Sequence, residues 1–218
     1  MSLYSQRKKS MQPDRQQSIL HELQSIGAVW LHNGDMTRPH ALLTSGRHSN
    51  GFVNTGLLTC RPDSINRILS GRNGYRAGLP AGGVGWVIGS ALGAVTWAFA
   101  LGGVLNARAG FTEKDGDDMA LKRFELTKSD RVLVCEDVIS TGGSTLKTLA
   151  AVRATGATIL PQIAVLVNRS GLKELDGLPI YSLLDITIDS WEPSDCPLCK
   201  AGSEVVRPKA NWGKLTGK

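Results

Sequence analysis

Between Arg131 and Thr145 the chain reads Arg-Val-Leu-Val-Cys-Glu-Asp-Val-Ile-Ser-Thr-Gly-Gly-Ser-Thr, and its polar residues form two groups with different chemistry. Glu136 and Asp137 are adjacent carboxylates, which accept hydrogen bonds from sugar hydroxyls but cannot themselves hold a phosphate. Ser140, Thr141, Gly142, Gly143, Ser144 and Thr145 follow closely; glycines let the backbone adopt positive φ, so N–H groups and hydroxyls can converge on an anion. Hydroxyl recognition beside an anion cradle describes a ligand carrying both, and a ribose phosphate is such a ligand. An ordinary capped turn accounts for a lone Asp-x-x-Ser-Thr-Gly, and less well for paired acids, hydroxyls and Gly-Gly in one short turn. Other phosphate loops fit poorly, because no Lys follows the glycines as a P-loop needs and there is no G-x-G-x-x-G.

Such groups need rigid elements to present them. Val132 to Cys135 is a continuous apolar run of the kind found in a strand buried on both faces, and it delivers the carboxylates at its carboxyl end. Leu146 to Ala154 reads as a helix, which sets the glycine turn at a helix N-terminus, the favoured place for a phosphate. Thr158 to Val167 is another buried strand, ended by Asn168-Arg169-Ser170-Gly171. If the two strands are parallel neighbours, Arg169 emerges at the same sheet edge as the acids.

Ala77 to Ala107 contains no charged residue, and Gly85, Gly89 and Gly93 repeat a G-x-x-x-G spacing, so a membrane span must be weighed. Pro80 and the Gly82-Gly83 pair interrupt the run and leave an apolar helix from about Trp86 to Ala100, too short to span comfortably. The better reading is strand, glycine turn, helix and strand, with Ala81-Gly82-Gly83-Val84 as a second anion loop at a helix start and Trp86 and Trp97 as core or dimer contacts. Asp14 to Gly27 carries Ile19, Leu20, Leu23 and Ile26 at helical spacing and reads as an amphipathic helix lying on the domain. The fold class expected is α/β, a mainly parallel sheet flanked by helices with ligands at the strands' carboxyl ends.

The 218 residues suit one domain with a small appendage, and the +6 charge is concentrated toward the ends, in Arg7, Lys8, Lys9, Lys209, Lys214 and Lys218. Solvated tails account for it better than a nucleic-acid surface, so neither nucleic acid nor membrane is an expected partner. Four cysteines without a signal peptide argue for a reducing cytoplasm. Cys196-Pro197-Leu198-Cys199 has zinc or redox spacing, but a structural zinc wants a second pair that Cys60 and Cys135 do not supply in sequence; structural, metal and redox readings stay open.

Glu136-Asp137-Val138-Ile139-Ser140-Thr141-Gly142-Gly143-Ser144 resembles the phosphoribosyl-pyrophosphate signature of the type I phosphoribosyltransferases, most closely that of the orotate phosphoribosyltransferases. The resemblance implies that the acidic pair holds ribose hydroxyls and the following loop holds the 5′-phosphate. Leu43 to Ser49 with Phe52-Val53-Asn54 is similar to the family's amino-terminal segment covering the base, although some members carry Lys where Thr44 stands and a Tyr-Phe pair near Gly51-Phe52. Ala81, Gly82 and Gly83 resemble its pyrophosphate-contacting loop. Arg108 to Lys122, polar and glycine-containing, looks like its mobile lid, which crosses the dimer to close over the neighbouring site. Arg108 and Lys114 are the cations carried over, with Lys122-Arg123 as alternatives, since the histidine of the family's Lys-Asp-His-Gly is missing after Lys114-Asp115. Orotate contacts are implied for Arg169, Ser140 and Phe52, and catalytic roles for Lys114, Asp137 and Arg108.

The type I fold then divides the chain into residues 1–60, an amino-terminal helix and hood; residues 61–190, the core; and residues 191–218, a carboxyl-terminal extension. The implied activity is transfer of ribose 5-phosphate to orotate, giving orotidine monophosphate for pyrimidine biosynthesis. Mg²⁺ is expected as a substrate-bridging cofactor near Glu136 and Asp137, and a homodimer as the assembly. A purine phosphoribosyltransferase and a non-catalytic regulatory protein of the same fold are the competing readings.

Overall fold

The structure is a computed structural model describing residues 13–70, 75–80 and 82–217. Arg7, Lys8, Lys9, Ala81 and Lys218 lie outside the described residues. Helix α1 (Pro13–Ser25) leads into β1 (Val29–Leu31), β2 (His40–Leu42), β3 (His48–Ser49) and β4 (Gly51–Val53), and then into α2 (Gly56–Thr59) and α3 (Pro62–Ser70). Next come β5 (Trp86–Ser90), α4 (Gly93–Leu105), β6 (Arg108–Asp115), β7 (Asp118–Ala120), β8 (Arg131–Ile139), α5 (Gly143–Ala154) and β9 (Thr158–Asn168). The chain ends with β10 (Glu174–Leu175), β11 (Leu178–Asp185), β12 (Ser190–Trp191), α6 (Pro197–Lys200), β13 (Val205–Val206) and α7 (Trp212–Thr216).

The main sheet has the order β10-β11-β9-β8-β5-β6-β7; its five inner strands run parallel and only β7 and β10 pair antiparallel. Successive residues of β8 explain why helices cover both faces. Leu133 and Cys135 pack with Trp97 and Leu101 of α4 and Ile19 and Leu23 of α1, whereas Val132 and Val134 pack with Leu149 and Val152 of α5. The expected α/β architecture is therefore present. Chain order reverses between β5 and β8, since β6 lies on one side of β5 and the later strands on the other. In open α/β sheets the crevice at such a reversal, outside the carboxyl ends, is where ligands bind.

The helix expected from Trp86 to Ala100 is corrected. Trp86–Ser90 is a wholly buried strand and the helix occupies Gly93–Leu105. Burial on both faces removes any charge from such a strand, so its composition cannot be told from that of the buried helix beside it. Gly89 allows the close approach of the two, because a Cβ there would lie 2.8 Å from the Ala94 Cβ. Trp86 and Trp97 are buried core residues, and no described helix is long and apolar enough to cross a membrane.

A separate four-stranded sheet, β12-β3-β2-β13, joins segments from both ends of the chain. The hood and the carboxyl-terminal extension, read apart in sequence, meet here. Helix α1 packs instead on the main core through Ile19 and Leu23.

Candidate active site

Strand β8 ends in two carboxylates that the fold treats differently. Glu136 is 4% exposed, and its oxygens accept hydrogen bonds from Ser90 Oγ at 2.7 and 2.8 Å and from Thr145 Oγ1 at 3.0 Å. Burial raises its pKa to about 8, against the lowering effect of the Ser90 hydrogen bond and with a further rise from Asp137. The expected ribose contact is therefore corrected for Glu136: it ties the end of β5 and the first turn of α5 to β8 instead of facing the crevice. Asp137 is half-buried and accepts a hydrogen bond from Thr55 Oγ1 at 2.7 Å.

Two helix N-termini flank the acidic pair, that of α4 beside Asp137 and that of α5 beside Glu136. Gly143–Ala154 begins after Gly142, whose φ of 81° favours glycine; Ser140, Thr141, Gly143 and Ser144 are exposed, and no side chain caps the helix. The first-turn N–H groups of α5 have no intrahelical acceptors and are left for an anion. Val138 and Ile139 turn their side chains into the two cores, so only their backbone can serve a ligand. On the other side, the segment from Ser90 to Gly93 leads into α4 so closely that a Cβ on Gly93 would lie 2.5 Å from both Asp137 oxygens.

That segment takes the place expected for Ala81, Gly82 and Gly83. Gly83 precedes β5, and its carbonyl accepts a hydrogen bond from Arg131 Nε at 2.7 Å, at the first residue of β8. The glycine pair thus lies at the amino ends of the strands, opposite the acids. Arg108 is corrected for the same reason: it opens β6 in register with Trp86, pairs with Asp130 at 2.7 Å and lies 4.4 Å from the Trp86 ring centroid. Arg169 emerges as expected, following β9 with its N–H donating to the Ile139 carbonyl at 2.9 Å. Its Nε is buried without a partner among the described residues, and burial lowers its pKa from the usual guanidinium value.

No protein-family model matches the chain. It is 35% identical to an orotate phosphoribosyltransferase of Acidithiobacillus ferrooxidans, over 84% of this chain and 94% of that one. The chain belongs to the orotate phosphoribosyltransferase family. Among solved members, the enzyme of Aeropyrum pernix is 25% identical with a TM-score of 0.57, covering 77% of this chain and 93% of that one. The Mycobacterium tuberculosis enzyme, solved in complex with inorganic phosphate, is 26% identical with a TM-score of 0.55, over 80% and 96% of the respective chains.

The segments expected as lid and hood take definite forms. Residues expected as a loop form the β6–β7 hairpin, with Lys114 opposite Met119, and Lys147 of α5 donates to the Asp117 carbonyl at its turn. Lys122 pairs with Asp115 and Arg123 with Glu113, whereas Lys114 is exposed and has no carboxylate partner among the described residues. The amino-terminal segment reaches Asp137 through Thr55. Phe52, expected to contact the base, packs edge-on against Trp212 at 5.6 Å, in the small core with Trp30 and Leu215. Sequence alone does not single out Thr55 or Ser90; for Ser90 there is a signal, an apolar run ending in a hydroxyl just after Gly89, but Thr55 lies 82 residues from its partner.

Proposed function

We propose that the chain transfers ribose 5-phosphate from phosphoribosyl pyrophosphate to a nitrogen of orotate, releasing pyrophosphate and forming orotidine monophosphate. The observation that carries this reading is the acidic pair flanked by two helix N-termini at the sheet's topological reversal, that of α4 beside half-buried Asp137 and that of α5 beside Glu136. A ligand with ribose hydroxyls between two phosphate groups matches that order of acceptors and donors. The inorganic phosphate of the M. tuberculosis relative supports an anion subsite in this fold.

In the reaction the bond from the anomeric carbon to pyrophosphate oxygen breaks, the pyrophosphate keeps the electron pair, and a carbon–nitrogen bond forms as the ring nitrogen gives up its proton to the departing pyrophosphate or to water. Positive charge grows on the sugar and negative charge on the leaving group, so positioning and electrostatics supply the catalysis. Residues Ser140 to Ser144 hold the 5′-phosphate, Asp137 orients the ribose hydroxyls, and the segment from Ser90 to Gly93 faces the pyrophosphate. Glu136 fixes the spacing of those two loops. Arg169 receives the orotate carboxylate, a task its unpartnered guanidinium nitrogen suits.

The donor set fits Mg²⁺ held largely by substrate and water oxygens, because Glu136 is buried and Asp137 alone of the acidic pair is half-exposed. When bound, Mg²⁺ neutralises pyrophosphate charge. Lys114, the hairpin cation without an ion-pair partner, would meet the same charge, in this crevice or in that of a second protomer of a homodimer. Assaying orotate against adenine, guanine and hypoxanthine with donor and Mg²⁺ tests the reading: turnover of orotate alone is expected. Preference for a purine would leave only the general phosphoribosyltransferase chemistry.

A further inference from the structure

The small sheet encloses a cluster that the transfer reaction does not use. His40 comes from β2 and His48 from β3, while Cys196 is the cap residue before α6 and Cys199 is the third residue of α6. Their ligand atoms all lie within 4.8 Å of one another, and His40, His48 and Cys196 are buried. His40 Nε2 is 3.2 Å from His48 Nδ1, 3.5 Å from Cys196 Sγ and 3.4 Å from Cys199 Sγ, while His48 Nδ1 is 3.2 Å from Cys199 Sγ. A tetrahedral zinc with Zn–N of about 2.0–2.1 Å and Zn–S of about 2.3 Å sets its ligand atoms about 3.3–3.8 Å apart.

The surroundings prepare His40 as a ligand. Ser203 donates its hydroxyl proton to the Arg38 carbonyl at 2.7 Å, so toward His40 Nδ1, at 2.9 Å, it acts as acceptor. The ring proton therefore sits on Nδ1, and Nε2 turns a lone pair toward the two sulfurs and the other imidazole. This is the outer-shell hydrogen bond that orients metal-bound histidines. We propose that His40, His48, Cys196 and Cys199 bind a structural zinc ion. Two thiolates and two imidazoles select zinc over magnesium or calcium, and four protein ligands close the site to substrate.

The fold has a use for such an ion. Few side chains fill the core of the small sheet: Trp30, Ala41, Val206 and Leu215 are its buried apolar residues. Units this small ordinarily need a metal or a disulfide. The ion would join the β2–β3 hairpin to α6, across more than 150 residues of chain. It would also steady the segment that runs on through β4 to Thr55 and Asp137.

Metal analysis of the full chain, purified without chelator, tests the proposal. About one zinc per chain is expected, retained by Cys60→Ser and lost by Cys199→Ser and His40→Ala. Should those two variants fail to fold, cobalt reconstitution of the unaltered protein decides instead: tetrahedral visible bands with a thiolate-to-cobalt charge-transfer band are expected. Zinc should also protect Cys196 and Cys199, but not Cys60, from thiol-reactive dye. A protein that carries no zinc, shows no such cobalt spectrum and has a Cys196–Cys199 disulfide would overturn the proposal in favour of a redox pair. Equal thiol reactivity with and without zinc would overturn it as well.

Discussion

The carboxyl edge of the main sheet and the small four-stranded sheet are both polar regions with few apolar side chains, yet they are built in opposite ways. At the edge, one continuous stretch from β8 into α5 carries the acids and the anion loop, on strands held by cores on both faces. In the small sheet, β2 and β3 meet β12 and β13 from the far end of the chain, around imidazoles and thiols. A large core lets the edge leave Asp137 half-exposed and Arg169 Nε without a partner among the described residues. The small sheet has no such reserve, and its polar atoms face one another. The difference teaches that a cluster's job follows from what supports it: groups on a rigid sheet can wait for substrate, whereas groups at the centre of a thin layer hold that layer together.

Asp137→Asn gives the largest effect expected. Removing the carboxylate proposed to orient ribose should lower kcat about 10²–10³-fold and leave the melting temperature nearly unchanged. Steady-state kinetics and a melting curve decide it, and near-normal turnover would break the division between a substrate edge and a structural sheet.

Arg169→Leu comes next and addresses the base. Loss of a charge-assisted contact in a partly dry site costs about 2–5 kcal/mol, so KM for orotate should rise tens-fold or more. KM for phosphoribosyl pyrophosphate should barely move. An equal rise in both constants would show that Arg169 supports the edge generally instead of reading the carboxylate.

Glu136 sharpens the comparison within the edge itself, because it is a buried acid doing structural work beside an acid that is half-exposed. Its pKa is raised to about 8 from an ordinary 4.5, chiefly by burial. The folded state therefore holds a proton that the unfolded chain has released. Its contribution to stability is whole below about pH 4.5 and is lost as pH rises through about 8, at up to about 1.4 kcal/mol per pH unit. Glu136→Gln keeps an acceptor for Ser90 and Thr145 but cannot ionise, so urea unfolding from pH 5 to 8.5 should show a shallower decline. Parallel profiles for the two proteins would mean that Glu136 stays ionised in the fold.

The small sheet offers the matching test. Phe52→Leu should lower stability by about 1 kcal/mol, since its ring packs on Trp212, and leave both KM values unchanged. A selective rise in the orotate constant would return Phe52 to the base site.

How much could be read beforehand follows the same division. The α/β class, the buried strands of β8 and β9, the loop from Ser140 to Ser144 and the emergence of Arg169 were legible, because each depends on neighbours in sequence. Glu136 and Asp137 look equivalent as letters, and only the hydroxyls of Ser90 and Thr145 distinguish them. Within the uncharged run, Pro80 and the Gly82-Gly83 pair drew the break too early, since full burial makes β5 and α4 alike in composition. The Cys196–Cys199 half of the small-sheet cluster was visible, but its complement was sought among cysteines. It is made of histidines spaced to suit a hairpin, joined to α6 only by folding.

The smallest effect is expected where sequence placed a catalytic cation and the fold does not. Arg108 lies at the amino ends of β5 and β6, with its side chain largely exposed, paired to Asp130 and stacked over Trp86. An exposed ion pair contributes about 0.2–1 kcal/mol and an exposed cation–π contact about 0.5–1 kcal/mol, so Arg108→Ala should lower stability slightly. Turnover should stay within about twofold of the unaltered protein, because Arg108 opens β6 and Lys114 lies near its other end, in the hairpin with β7. Lys114→Ala is the companion measurement: it should reduce kcat more than it raises KM for the donor, as befits a cation that meets leaving-group charge. If Arg108→Ala lost activity while Lys114→Ala kept it, the opposite edge of the sheet would have to contribute to catalysis, and the contrast between the two edges would fail.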